Sequence, residues 1–169
     1  VILLGSPGRL KHISFKEINI AGNAIRLVDK VRNLGVTIDS LLTFSEHVAN
    51  VVKTSYYHLR QMRSFRNSLA VVPFHALTRS LILSRLDYCN SLLSGIPDLL
   101  TKQLDGVMSA AARQILRLPR FGHVTRAMCD QLHWLDMKAR IDFKLSLTAF
   151  RCLHGLAPAY LSILCIPVS

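Results

Sequence analysis

Ten acidic side chains are spread along 169 residues, and no two aspartates are adjacent. That absence removes the usual device for nucleotidyl transfer, in which closely placed carboxylates hold Mg²⁺ against the attacking and leaving oxygens. Asp87-Tyr88-Cys89 resembles such a motif in composition alone: it has one carboxylate and falls in a predicted helix. Asp39 ends a predicted strand, where a cap is expected, since a hard octahedral cation takes one or two carboxylates together with substrate phosphates. Cys129 and His133, four residues apart with His123 upstream, come within reach of a shared zinc. Further ligands at suitable spacing do not follow, so a buried cysteine and a hydrogen-bonded histidine are expected there. No glycine-rich phosphate loop follows a strand, and no serine sits in a nucleophile elbow. These residue types predict no catalytic constellation, no metal site and no enzyme activity in this chain.

What the composition does offer is charge. Twenty-one Lys and Arg give a net charge of +11 and a pI near 10.1. Such a balance points to a polyanionic partner, because each phosphate neutralised releases counterions; nucleic acid is expected ahead of an anionic membrane surface. The excess is uneven: ten basic against four acidic residues over 1–68, two against two over 69–100, and nine against four over 101–151. Half of the residues are hydrophobic and 18% are charged, which excludes a disordered solvating tail. Mean hydropathy of +0.31 predicts apolar surface meant to pack against something missing. The chain also opens Val1-Ile2-Leu3-Leu4, with no initiator Met and no signal-peptide pattern. Cys89, Cys129, Cys152 and Cys165 lie far apart, as suits reduced thiols in a nuclear or cytoplasmic protein rather than a secreted one. The longest apolar stretch, Leu69 to Leu93, is interrupted by Arg79, Arg85 and Asp87, so no span is predicted.

The elements that must position these residues follow from periodicity. Val1 to Leu4 reads as a short strand ended by the turn Gly5-Ser6-Pro7-Gly8. Ile18 and Ile20, then Ile25 and Leu27, alternate on either side of Ala21-Gly22-Asn23-Ala24, predicting a hairpin with positive φ at Gly22 and Asn23. Val31 to Asp39 reads as a further strand in which Gly35 marks a bulge or a close backbone approach. Beyond Asp39 the period lengthens from two to nearly four. Thr43 or Ser45 can cap a helix, with Glu46 completing a capping box. Val48, Val52, Ser55, Leu59 and Met62 form its inner stripe, with Lys53 and Arg60 opposite and Arg63 flanking.

A second helix is predicted from Pro73 to Leu93, apolar on more than one side and hence the buried central element. Phe74, Leu77, Leu81, Arg85, Tyr88 and Leu92 share one of its faces, while Ile82, Leu86, Cys89 and Leu93 cover another. Further helices are expected over Leu99–Leu118, Arg126–Trp134 and Met137–Leu153. The predicted fold is mainly α: a short antiparallel β-hairpin region at residues 1–39, then a bundle of four or five helices over 40–169.

Seven blocks carry a resemblance, in one order along the chain. They are Leu3-Leu4-Gly5-Ser6; Val31-Arg32-Asn33-Leu34-Gly35-Val36-Thr37-Ile38-Asp39; Ser84-Arg85-Leu86-Asp87-Tyr88-Cys89-Asn90-Ser91-Leu92-Leu93; Ala110-Ala111-Ala112-Arg113; Leu132-His133-Trp134-Leu135; Arg140-Ile141-Asp142-Phe143-Lys144; and His154-Gly155-Leu156-Ala157-Pro158-Ala159-Tyr160-Leu161. This series resembles the segment after the catalytic motif in reverse transcriptases of LINE-type, non-LTR retrotransposons, in the chicken-repeat and jockey-like groups. The resemblance implies the end of the palm, the thumb and the connecting region of an RNA-directed DNA polymerase, without its catalytic aspartates. It implies that Leu34, Gly35 and Val36 lie near the primer strand, and that the following helices lie beside the RNA template and DNA primer. It places Mg²⁺ only in the full-length parent, whose palm and fingers are the missing partners. The sequence departs from the family at Asp136, where proline usually follows His-Trp-Leu, at Arg126, and over Leu104 to Ser109, where Gly106 lowers helix propensity.

A thumb must follow a moving duplex without reading its sequence, so it needs cations aimed at phosphates. Lys53, Arg60, Arg63 and Arg66 are the residues expected to supply them, in weak, sequence-tolerant binding; a solvated helix face is the alternative. Of Tyr56 and Tyr57, one must lean away from the buried stripe and could stack on a base, although a boundary packing role competes. Trp134 is expected in the core with its indole N–H bonded to a carbonyl. Two rival readings remain: a host-adopted protein-interaction module, and a retroelement relic with no function.

Overall fold

The structure is a computed structural model that describes residues 1–119 and 122–166. It is mainly α, with two short antiparallel hairpins near the N-terminus followed by helices, as the periodicity predicts. The change from strand to helix falls after Asp39. Compact packing divides the chain later, into Val1–Lys53 and Thr54–Ser169. Among the described residues no helix is long and apolar enough to cross a membrane.

In the first unit Val1 to Leu4 forms no strand. The segment is held by single bonds: the Val28 N–H donates to the Val1 carbonyl at 3.0 Å and the Gly5 N–H to Ser40 at 3.1 Å. The predicted turn at Gly5–Gly8 is instead the start of a short helix, α1 (Pro7–Lys11), because Pro7 at the first position fixes a helical φ where no N–H is needed. Strands β1 (Glu17–Ile20) and β2 (Asn23–Arg26) pair with Ile18 opposite Ile25. Their two-residue turn is Ala21-Gly22, both at positive φ (50° and 82°), so the turn lies one residue earlier than predicted and Asn23 opens β2.

The predicted strand Val31–Asp39 is a second hairpin. Strands β3 (Lys30–Asn33) and β4 (Val36–Asp39) pair around Leu34 (φ 46°) and Gly35 (φ 85°). Gly35 therefore marks a mirror-image tight turn rather than a bulge. Alternation misled here because Leu34, Val36 and Ile38 keep step through the tip, although Val31 falls on the other parity.

Helix α2 (Ser45–Ser64) begins beyond an aspartate latch. Asp39 accepts hydrogen bonds from the backbone N–H groups of Leu41 (3.2 Å), Thr43 (2.9 Å) and Phe44 (2.8 Å), and from the Thr43 hydroxyl (3.1 Å). Burial alone would raise its carboxyl, but these donors outweigh burial and hold it below the usual carboxylate range. The cap expected at this strand end is thus the role the geometry assigns to Asp39. Glu46 pairs with Lys30. Val48 is fully buried, and His47 is buried with its Nδ1 accepting from the Thr37 N–H at 3.4 Å.

In the second unit, Ser55, Leu59 and Met62 continue the predicted inner stripe of α2. A 3-10 turn at Arg66–Ser68 leads into helix α3 (Val71–Thr78), a π-helical turn at Arg79–Leu83, helix α4 (Ser84–Asp87) and a second 3-10 turn at Asn90–Leu93. The long helix predicted over 73–93 is helical from Val71 to Asp87 by way of this π turn, and stops short at Cys89, whose φ is 53°. The hydroxyls of Thr78 and Ser80 donate to carbonyls four residues back, at 2.9 and 3.0 Å, and Ser84 does the same to Ser80, a pattern that bends helices. The i→i+5 turn also reduces the twist per residue. Phe74, Thr78, Ile82 and Leu86 then share the buried side, while Arg85, Tyr88 and Leu92 face solvent.

The central element is helix α5 (Asp98–Leu116), which packs on α3 and on helices α6 (Thr125–Leu132) and α7 (Met137–Leu153). Leu104, Val107, Met108, Ala111, Ala112 and Ile115 are buried on it, the alanines admitting a close neighbour. Gly106 has its reason here: a Cβ at that position would lie 3.3 Å from the Tyr56 hydroxyl. Asp136 caps α7 by accepting from the Ala139 N–H at 2.7 Å. A short helix after Pro158, α8 (Ala159–Ser162), was not predicted.

Candidate nucleic-acid interface

The outward side of α2 follows from its inward one. Four- and three-residue steps bury Ser55, Leu59 and Met62, so Tyr57, Arg60 and Arg63 must turn away. Arg60 and Arg63 are exposed, and neither is ion-paired among the described residues. Tyr57 is 52% exposed, whereas Tyr56 is half-buried against Gly106. Tyr57 is therefore the outward member of the pair. Lys53 is likewise exposed and belongs to the first unit.

Arg66 does not join this surface. It is only 7% exposed, and its guanidinium caps the C-terminal end of α5. Nε donates to the Gln114 carbonyl at 2.8 Å, Nη2 to Ile115 at 3.0 Å and Nη1 to Leu69 at 3.2 Å. The ring of Phe74 lies 4.4 Å from its Cζ. Burial, then the nearby charge of Arg117, lowers its pKa. Those last carbonyls of α5 have no intrahelical donor, so the cation is consumed by the fold and has no fork left for phosphate. The expectation of phosphate contact at Arg66 is corrected accordingly.

The three residues implied to lie near a primer sit on the β3–β4 hairpin. Leu34 and Gly35 form its tip, with Leu34 exposed, and Val36 is buried at the start of β4. A hairpin tip with an apolar side chain outward is a surface that can be approached, and Val36 acts in the core beneath it.

The other chemistry-bearing residues are also placed. Among the described residues no three His, Cys, Asp or Glu side chains could hold a metal ion together. Cys129 is exposed rather than buried, and α6 ends at Leu132 with His133 in the left-handed region at φ 54°, so the two do not share a continuous helical face. Trp134 is buried as expected, 5.9 Å from the His75 ring, but its indole N–H meets no carbonyl among the described residues.

A constellation that periodicity did not point to lies in the second unit. Asp87, from the Ser84–Leu93 block, receives Arg140 Nη1 at 2.8 Å on each carboxylate oxygen, and Arg140 Nε donates to the Leu135 carbonyl at 2.9 Å. Two adjoining clefts share Asp87, His133 and Arg140. One, of about 330 Å³, adds Asn90, Leu135, Phe143 and Lys144. The other, of about 380 Å³, adds His75, Arg79 and Trp134 among others. Three of the seven sequence blocks thus meet at one place. Spacing carried no signal for it, because Asp87 and Arg140 lie 53 residues apart. No protein family, curated protein or solved structure matches the chain.

Proposed function

We propose that the chain is the post-catalytic part of a non-LTR retrotransposon RNA-directed DNA polymerase, contributing grip on an RNA template and DNA primer rather than catalysis. The observation that carries this reading is the outward side of α2, where exposed Arg60 and Arg63 accompany the exposed ring of Tyr57 with no acidic partner among the described residues. Cations that fold stability does not use, on a chain of net charge +11, are what a sequence-tolerant phosphate surface requires.

The test is the salt dependence of binding to an RNA–DNA hybrid. Replacing Lys53, Arg60 and Arg63 by Gln weakens binding and flattens the plot of log affinity against log salt by about 0.9 per lost phosphate contact on a B-form duplex. An unchanged slope removes these side chains from the account. Primer extension with Mg²⁺ and nucleotides yields no product; synthesis by the chain alone overturns the reading.

A protein-interaction module is the second reading, favoured by the apolar surface of α7 and the residues after it. Phe150, Leu153, Leu156, Tyr160, Ile163, Leu164 and Ile166 are all exposed. So many exposed apolar side chains along one segment are what a contact site offers. Binding that survives high salt would select this reading.

A further inference from the structure

The smaller of the two clefts is lined by a residue whose acceptor the fold leaves unsatisfied. Asn90 is 3% exposed, lines the cleft, and its Oδ1 has no hydrogen-bond donor. A buried carbonyl oxygen without a donor destabilises the free protein, and an apolar side chain of the same shape would remove the penalty. Phe143, on the same lining, is 61% exposed and is followed in the chain by Lys144. Arg140, also on the lining, is clamped by both oxygens of Asp87 and by the Leu135 carbonyl.

We propose that this cleft receives one unpaired nucleobase of a bound nucleic-acid strand, an inference that rests on the nucleic-acid reading above and adds a second, single-stranded contact to it. Three features select that occupant. A bare phosphate brings acceptors only and leaves Asn90 Oδ1 unpaired, whereas every base carries an N–H donor on its Watson–Crick edge that an amide oxygen can receive. An exposed aromatic ring offers a stacking platform that any base can use. Lys144, which has no ion-pair partner among the described residues, supplies a cation on the same lining for the backbone beside that base. The volume of about 330 Å³ lies at the small end of ligand pockets and admits one nucleotide, not a duplex.

The deciding measurement compares the affinity of the full chain for a blunt RNA–DNA hybrid, the same hybrid with a three-nucleotide overhang, and an overhang of abasic residues. The normal overhang binds roughly tenfold tighter than the blunt hybrid, as stacking of one base implies, and the abasic overhang loses that gain. Phe143→Ala and Asn90→Leu each bring the preference to within about twofold while blunt-hybrid affinity stays unchanged, and Asn90→Leu melts no lower than the parent. Should Asn90→Leu fail to fold, Phe143→Ala, at an exposed position, decides alone. Equal affinity for blunt and overhanging hybrids, or full gain from the abasic overhang, overturns the cleft and leaves the duplex reading standing. Binding of a single strand without any binding of the hybrid keeps the cleft and overturns the duplex reading. No binding of either at low salt overturns both.

Discussion

At the scale of single residues, identical side chains on neighbouring turns have opposite duties. Arg60 and Arg63 face solvent, while Arg66, three residues on, is buried against the end of α5. Nothing local distinguishes them. The carbonyls that claim Arg66 are 48 and 49 residues away, so a run of basic residues read as one surface hides the member that belongs to the core. Arg66→Ala strands those carbonyls and costs about 3 kcal/mol of stability, read as a lower urea midpoint. Arg66→Lys does not restore it, because an ammonium cannot fork across divergent acceptors. Neither substitution alters the salt slope of hybrid binding at temperatures where the variants remain folded. A stable Arg66→Ala protein with a flattened slope would return this residue to the interface.

His47 supplies a second residue-scale prediction, in pH. Burial holds its imidazole below the usual histidine value, and its Nδ1 is occupied as an acceptor from Thr37. The unfolded chain therefore takes up a proton near pH 6.5 that the folded first unit refuses. Stability is complete above that pH and falls as the pH drops through and below it. Asp39 adds a separate loss in more acidic solution, since its depressed carboxyl stabilises the fold only while ionised. Amide exchange in β3 and β4, followed from pH 7.5 to 5.5 and corrected for intrinsic rates, accelerates in the parent. It stays flat in His47→Gln, and equal acceleration in both would clear the histidine.

At the scale of elements, what periodicity can register was legible and what chain reversal requires was not. Helix α7 runs from Met137 to Leu153 as its stripe and flanking His154-Gly155 predict, and α5 differs from its predicted bounds by one residue at the start and two at the end. The misses share a cause. Leu34, Val36 and Ile38 keep alternating across the Leu34-Gly35 tip, and the π turn at Arg79–Leu83 comes with hydroxyls bonding backward, which a count of apolar residues by face does not register. The cleft at Asp87 and Arg140 was legible only as separate blocks of resemblance, since its geometry exists only once α4 and α7 are packed. The two hairpin turns make a local prediction possible. Ala21 stands at φ 50° ahead of Gly22, where a mirror-image turn favours asparagine. Ala21→Asn stabilises the β1–β2 hairpin by about 0.5 kcal/mol, and Gly35→Ala destabilises β3–β4 by about 1 kcal/mol. Slower and faster exchange of the Ile18 and Val31 amides, respectively, would register each change.

At the scale of the whole molecule the two compact units differ in what holds them. The first has two separate two-stranded sheets whose residues are mostly exposed, with Val36, Phe44, His47 and Val48 as its buried side chains. Isolated two-stranded hairpins are marginal in water, and most of the ordering entropy of 53 residues has little burial set against it. The second unit encloses Phe74, Ile82, Leu86, Leu104, Met108, Ile115 and Met137 around α5. Local stability must therefore be graded along the chain, with opening of the hairpins far cheaper than global unfolding. Native-state hydrogen exchange resolves this: amides of β1 to β4 exchange at least about a hundredfold faster, relative to intrinsic rates, than those of Val107 to Ala112, a difference of about 2.7 kcal/mol. A bound RNA–DNA hybrid that uses the hairpin tip at Leu34 and Gly35 closes part of that gap, because a ligand stabilises whatever it requires to be folded. Protection spreading through α2 while the hairpins remain unchanged would confine the grip to the helix and exclude the tip from primer contact.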